Sequence, residues 1–283
     1  MIASSIEFQG KDAMTIVAAG VELSPETGNE TSRGNRVIFG SDSARRLLER
    51  HGLIQLDRLF ELGQSARARH VGRCVYSRTV EDSNGLPVKL YIKLQEGRRR
   101  LWPRMTDLRT GQLFQTLAER EWYGIERLKQ LGIPVPERMG LFNSTPWSLW
   151  FRAAVIVREV RPPFSIDELV SNGRWAAMSR SDQDQILENV IATLRRIHGA
   201  GLGWRGSSSR HFFPERQPNG QWTNWLIDCE GVHRFASRKT VEQNYAKLVK
   251  AFRESGSDAD TMGRLEKKVS LSMGVIEDRR SAA

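Results

Sequence analysis

Cysteine is almost absent: Cys74 and Cys229 are the only two in 283 residues. So far apart, they offer neither a disulfide framework nor the paired spacing of a metal site, which suits a reducing cytoplasm. Long apolar runs are missing as well, and nothing approaches the ~18 uninterrupted apolar residues of a membrane span. The short apolar run from Thr15 to Val21 contains Gly20 and follows no basic region, so no secretory signal is expected. Negative charge is in deficit, with 33 Asp and Glu against 43 Lys and Arg and a net charge of +10. Such an excess favours anionic partners: nucleic acid, a phosphorylated glycolipid or membrane headgroups. Nucleic acid is not expected, because helix-turn-helix, zinc and RNP signatures are all lacking. The densest basic cluster is Arg98-Arg99-Arg100, with Arg104 and Arg109 beyond it. It reads either as a solvated loop or as a peripheral contact with a membrane surface.

The chain is long enough for one large domain or two unequal lobes. Residues 1–40 lack steady periodicity and read as an irregular N-terminal extension or a peripheral strand. Residues 42–62 carry one or two short helices. Strands are expected at 73–80 and 87–95, joined by the turn signal Glu81-Asp82-Ser83-Asn84-Gly85. In the second, Val88, Leu90, Ile92 and Leu94 alternate with Lys89, Tyr91, Lys93 and Gln95. A helix is expected over 111–131, stopped by Gly132 and Pro134, with Phe114, Leu117, Ile125 and Leu128 on its apolar stripe. Strands near 138–142 and 150–157 precede the stiff segment from Arg158 to Pro163, where the chain divides. An N-lobe over 41–160 then precedes a C-lobe over 161–283 that ends in a polar tail. The second part opens on a capping box from Ser165 to Glu168. An amphipathic helix over 182–198, a hairpin around Pro218-Asn219-Gly220 and a helix over 239–254 follow. The fold class is α+β, β-rich first and mainly helical after.

A few polar residues occupy positions that cost free energy unless they are used. Lys93 lies mid-strand on the polar face, where its stem can run along apolar neighbours and its ammonium reach a cleft. Taken alone, it reads as a surface lysine. Glu121 sits on the helix stripe, four residues from both Leu117 and Ile125, and a carboxylate there needs a cationic partner. Glu119 competes but lies off the stripe, so Lys93 and Glu121 are expected to pair. Asp228 leaves the apolar strand Trp225-Leu226-Ile227 for a turn containing Gly231, a placement that suits a Mg2+ ligand and equally a turn cap. Most informative is the stretch after the 182–198 helix, Trp204-Arg205-Gly206-Ser207-Ser208-Ser209-Arg210-His211. Protein kinases carry His-Arg-Asp-x-x-x-x-Asn at such a place, with Asp as base and Asn on a metal ion. Arg205 keeps its place and His211 stands where a metal contact belongs, but the base position holds Gly206. The nucleotide-covering loop is reduced too: Arg69–Arg73 offers Gly72 alone in place of Gly-x-Gly-x-x-Gly.

On these residues the chain resembles the lipopolysaccharide core kinases of the Kdo/WaaP type, bacterial sugar kinases with a protein-kinase-like fold. The resemblance covers roughly residues 43–250. It rests on Tyr91-Ile92-Lys93, Glu121-Trp122 with Leu128, Gly132-Ile133-Pro134, Arg205, His211-Phe212 and Leu226-Ile227-Asp228. Members show His-Arg-Asp-x-x-x-x-His-Phe, so Trp204 and Gly206 depart from the pattern. The resemblance implies a bilobal fold, with ATP and Mg2+ as cofactors. It places Lys93 and Glu121 at the nucleotide, Asp228 and His211 at the metal, and Arg205, Gly206 and His211 in the catalytic loop. The implied activity is ATP-dependent phosphorylation of a core sugar, heptose or Kdo, of a bacterial glycolipid. Its setting would be cytoplasmic, with peripheral contact to the inner membrane face through Arg98, Arg99 and Arg100. Gly206 opens the alternative of a catalytically impaired pseudokinase that binds nucleotide or a protein partner.

Overall fold

The computed structural model describes residues 30–32, 35–64, 68–70, 72–98, 115–144, 150–234 and 236–281. Its first part is a seven-stranded antiparallel sheet. The strands are β1 (Glu30–Ser32), β2 (Asn35–Phe39), β3 (Ala68–His70), β4 (Arg73–Glu81), β5 (Pro87–Arg98), β6 (Arg138–Asn143) and β7 (Trp150–Arg158). Across the sheet they run β1-β2-β6-β7-β5-β4-β3. The β4–β5 turn forms where its signal lies, because Asp82 Oδ1 accepts the N–H groups of Asn84 at 2.8 Å and Leu86 at 2.9 Å. Val37, Ile38 and Phe39 are buried, so β2 is an integral strand of this sheet.

The alternation along β5 separates two surfaces. Val88, Leu90, Ile92 and Leu94 pack on one side with Leu48, Leu53, Leu56 and Leu59, from and around α1 (Asp42–Arg50) and α2 (Leu56–Gly63). Lys93 and Gln95 face the other side, toward α3 (Leu117–Gln130). That helix starts later than its apolar spacing suggests. Gln115 and Thr116 are not helical, and Phe114 lies outside the described residues. Thr116 caps the helix reciprocally with Glu119, and Gln95 Oε1 accepts the Leu117 N–H at 2.7 Å, so the first turn's free donors are satisfied here. Glu119 is thereby occupied at the cap, and Glu121 turns inward.

The second part is mainly helical: α4 (Ile166–Ser171), α5 (Arg174–Ala177), α6 (Arg180–Gly199), α7 (Arg238–Glu254) and α8 (Ala259–Ser281). Between α6 and α7 lie the hairpin of β9 (Phe212–Arg216) with β10 (Trp222–Leu226), and the short pair of β8 (Leu202–Trp204) with β11 (Val232–Arg234). Ile186, Leu187, Val190, Ile191, Leu194 and Ile197 form the buried stripe of α6 and meet Trp204, Phe212, Leu226 and Leu248. Each such side chain contributes about 1.5–3 kcal/mol on burial. The same cluster continues through Trp122, Ile125 and Leu128 of α3 to Val155 in the sheet, so one core spans both parts. Among the described residues, no helix is long and apolar enough to cross a membrane.

Candidate active site

Lys93 joins the two parts. Its Nζ donates to Glu121 Oε1 at 3.0 Å and to Asp228 Oδ1 at 3.2 Å. Glu121 is 1% exposed, and its second oxygen accepts the Glu230 N–H at 2.8 Å. Both oxygens are thus satisfied, as burial of a carboxylate requires. Burial alone would push the Lys93 ammonium down, but Glu121 and Asp228 more than offset it and hold it above the usual lysine value. Burial likewise pushes the Asp228 carboxyl up, and Lys93, then His211, bring it below the usual aspartate value. Asp228 has φ 58°, the one non-glycine residue with positive φ among those described. Its carbonyl accepts Trp204 Nε1–H at 3.4 Å, and the 3-10 turn Cys229–Gly231 follows. A strained backbone at the head of a carboxylate cluster persists only where its surroundings hold it.

The loop after β8 brings His211 to this cluster. His211 Nδ1 lies 2.6 Å from the Gly206 carbonyl, which can only accept, so Nδ1 donates there and Nε2 is the ring nitrogen turned to the cluster. That Nε2 stands 3.6 Å from Asp228 Oδ2, the oxygen Lys93 leaves free. Arg205 contributes no side-chain contact to the cluster. It is exposed, its N–H donates to the Gly231 carbonyl at 3.1 Å, and its own carbonyl accepts from Lys247 at 3.2 Å. Gly206 has lost more than a carboxylate. A Cβ there would stand 2.6 Å from Trp204 Nε1, and Trp204 is wholly buried. The indole therefore fills the room that a side chain at 206 would need.

Two contributors go beyond the pairing and metal positions read from the sequence. Glu230 brings a third carboxylate, and a ligand atom from each of Glu121, Asp228 and Glu230 lies within 4.8 Å of the others. Burial first, and Asp228 next, push the Glu230 carboxyl above the usual glutamate value. Arg73, opening β4, stands 3.5 Å from it. In the sequence Glu230 stands out only as a carboxylate close to Asp228 that could substitute for the missing base, and Arg73 arrives only through strand pairing. Gly72 has a sufficient structural reason: φ is +73° and a Cβ would lie 2.6 Å from the Glu96 carbonyl. Cys229 is no nucleophile, since burial pushes its thiol well up. Arg98 is exposed at the end of β5, while Arg99, Arg100, Arg104 and Arg109 lie outside the described residues. The donor set suits Mg2+ with a nucleotide. Mg2+ takes hard oxygen ligands with retained waters, and here Asp228 and Glu230 supply oxygens, His211 its Nε2 beside them and Lys93 a cation for phosphate.

The model of the lipopolysaccharide kinase (Kdo/WaaP) family matches residues 64–267. Lipopolysaccharide core heptose(I) kinase WaaP of Escherichia coli (strain K12) is 21% identical over 128 residues, 45% of this chain and 48% of that protein. The match thus spans about half the length of that relative. Among solved structures, WaaP in complex with acyl carrier protein aligns with a TM-score of 0.61 at 14% identity, over 87% of this chain and 94% of that one. The likeness shows a shared kinase-like α+β fold, β-rich first and helical after. With the family model matched over most of its length, this chain belongs to the lipopolysaccharide kinase (Kdo/WaaP) family.

Proposed function

We propose that this chain is a lipopolysaccharide kinase-like protein that binds ATP with Mg2+ and transfers phosphate to a core sugar, heptose or Kdo, of a bacterial glycolipid. The observation that carries the reading is Lys93, held between Glu121 and Asp228 while His211 Nε2 faces the free oxygen of Asp228. In this reading the chain divides at 158–163, with the nucleotide between an N-lobe over 41–160 and a C-lobe over 161–283. Lys93 binds the α- and β-phosphates and Glu121 keeps its ammonium in place. Asp228 and His211 hold the metal, with Glu230 beside them. Mg2+, when bound, neutralises charge on the β- and γ-phosphates. Phosphoryl transfer depends mostly on such positioning and charge stabilisation, so losing the base at 206 costs about 10²–10⁴-fold and leaves the site able to act. Glu230, a carboxylate of the cluster that Lys93 and His211 do not engage, is the group left to take the acceptor's proton. The +10 net charge and the Arg98–Arg100 run suit an anionic acceptor presented at a membrane surface.

Titration of ATP with and without Mg2+, followed by turnover with a lipopolysaccharide core acceptor, tests this. Binding should require Mg2+, and Lys93→Met or Asp228→Ala should weaken it at least about tenfold, the worth of one charge-assisted hydrogen bond. Unchanged Mg2+-dependent binding in Asp228→Ala would remove the site. A second reading, a pseudokinase, draws on the Trp204 indole lying where a base would stand. Mg2+-dependent ATP binding without turnover on any core acceptor would favour it.

A further inference from the structure

The edge of the sheet brings a second cation to the Lys93 cluster. β3 and β4 pair as far as His70↔Arg73, and residues 71 and 72 alone separate the two strands. Gly72 is tied to the sheet besides, its carbonyl accepting the Glu96 N–H at 2.9 Å. A connection this short, bonded to β5, presents few backbone amides, whereas a glycine-rich loop cradles phosphates with a run of them. What stands at this place instead is the Arg73 side chain.

Strand register fixes its direction. Arg73 pairs with Gln95 and Val75 with Lys93, and paired or alternate residues share one face of a sheet. Arg73 is therefore the diagonal neighbour of Lys93, about 7–8 Å away and within reach of long side chains. Its Nη1 lies 3.5 Å from Glu230 Oε1, and Glu230 gives its N–H to Glu121, the partner of Lys93. Burial and Asp228 push the Glu230 carboxyl up, and Arg73, ahead of Lys93, is the first charge to pull it back. Two cations thus flank three carboxylates: Lys93 between Glu121 and Asp228, and Arg73 at Glu230.

Glu230 is the one side-chain partner of Arg73 among the described residues, and the arginine is half-exposed. A pair of this kind adds little stability and is rearranged at small cost. Most donors of the guanidinium are left for another ligand. The fork meets phosphate oxygens bidentately and keeps its charge, which suits a terminal phosphate whose negative charge must be stabilised during transfer.

We propose that Arg73 is a phosphate-binding residue, its guanidinium covering the terminal phosphate of a nucleoside triphosphate where a glycine-rich loop would offer backbone amides. Lys93 serves the inner phosphates and Arg73 the outer one, with Glu230 setting the approach of the fork. The inference rests on the nucleotide reading above and adds to it the residue that tells a triphosphate from a diphosphate.

The test is calorimetric titration of the full chain with Mg2+ and either a non-hydrolysable ATP analogue or ADP, at constant ionic strength. Arg73→Gln should weaken analogue binding about tenfold or more, the loss of one charge-assisted contact, and leave ADP binding close to wild type. Lys93→Met should weaken both nucleotides, since it meets phosphates that they share. An arginine that only supported the fold would lower both affinities together, and the melting temperature with them; Arg73→Gln should melt close to wild type. Arg73→Lys keeps the charge without the fork, so its analogue affinity should fall between those of Arg73→Gln and wild type. Should Arg73→Gln fail to fold, Arg73→Lys carries the test, and a wild-type ratio of analogue to ADP affinity in it overturns the proposal. Analogue binding unchanged in Arg73→Gln, or equal losses for analogue and ADP, overturns it as well. Either result leaves the nucleotide reading standing as long as wild type binds both. A wild-type chain that binds neither nucleotide removes that reading, and the role of Arg73 with it.

Discussion

Because the Trp204 indole stands where a side chain at 206 would grow, the two departures from His-Arg-Asp are physically coupled. Gly206 is not among the glycines with positive φ, so the obstacle is steric and not a matter of backbone conformation. A wholly buried tryptophan cannot swing aside without opening a void. Gly206→Asp alone should therefore lower the melting temperature and leave turnover near wild type. Trp204→His with Gly206→Asp should make room for the carboxylate and raise turnover toward the ~10²–10⁴-fold of a positioned base. ATP turnover with a core-sugar acceptor on the folded variants decides; a stable, active single variant would sink the steric argument. Glu230 offers a second check. Its pKa is raised in the folded protein, so its charge costs stability above the folded value, and the cost is gone below the ordinary glutamate value. Glu230→Gln should then be more stable than wild type at neutral pH without Mg2+, with the gap closing on acidification through the glutamate range. Melting temperatures against pH would refute this if the gap widened as the pH fell. Glu121 and Asp228 stood out because one interrupts and the other ends an apolar pattern, and Lys93 stood out as the cation that Glu121 needs. The consequence of Trp204 did not stand out, since its clash with position 206 exists only after the chain has folded.

At the scale of elements, legibility followed periodicity. The two faces of β5 and the buried stripe of α6 could be read directly, because burial repeats along each. The pair β8–β11 has three residues per strand, too short for any pattern, yet it sets the 202–206 loop against the segment after Asp228. The approach of α3 to that segment is set by Gly124. Alanine there would press its Cβ to 2.1 Å from the Cys229 carbonyl, a backbone atom that cannot turn away. Gly124→Ala should cost about 1–3 kcal/mol, as overpacking does, and weaken Mg2+–ATP binding by displacing Glu121 from the Glu230 N–H. Gly263 in α8 is the control, with nothing within 4 Å of its Cβ position. Gly263→Ala should instead stabilise by roughly 0.5–1 kcal/mol through helix propensity. Chemical denaturation compares the two, and equal stabilities would remove the packing account.

At the scale of the whole molecule, strands followed by helices were enough to read the α+β class, while charge bears on where the chain works. Many of its acids are matched in exposed pairs such as Lys89–Glu159, Arg152–Asp57 and Arg238–Glu242, which leaves the +10 excess distributed over basic surface. One place combines that excess with an apolar anchor. Trp150 is 68% exposed and is the strand partner of Arg98, where the Arg98–Arg100 run begins. Indole at an interface and arginines at anionic headgroups act through different forces, and salt separates them. The screening length falls from about 10 Å at 0.1 M salt to about 3 Å at 1 M, and each basic residue near an anionic surface is worth about 1 kcal/mol at low salt. Retention on vesicles containing anionic lipid should therefore drop steeply with salt in wild type. Replacing Arg98, Arg99 and Arg100 together by Ser should flatten that dependence, whereas Trp150→Ala should lower the salt-resistant remainder and leave the slope alone. Vesicle sedimentation across a salt series measures both effects. Retention that ignores salt, or a triple variant with the wild-type slope, would place the acceptor-facing surface elsewhere on the chain.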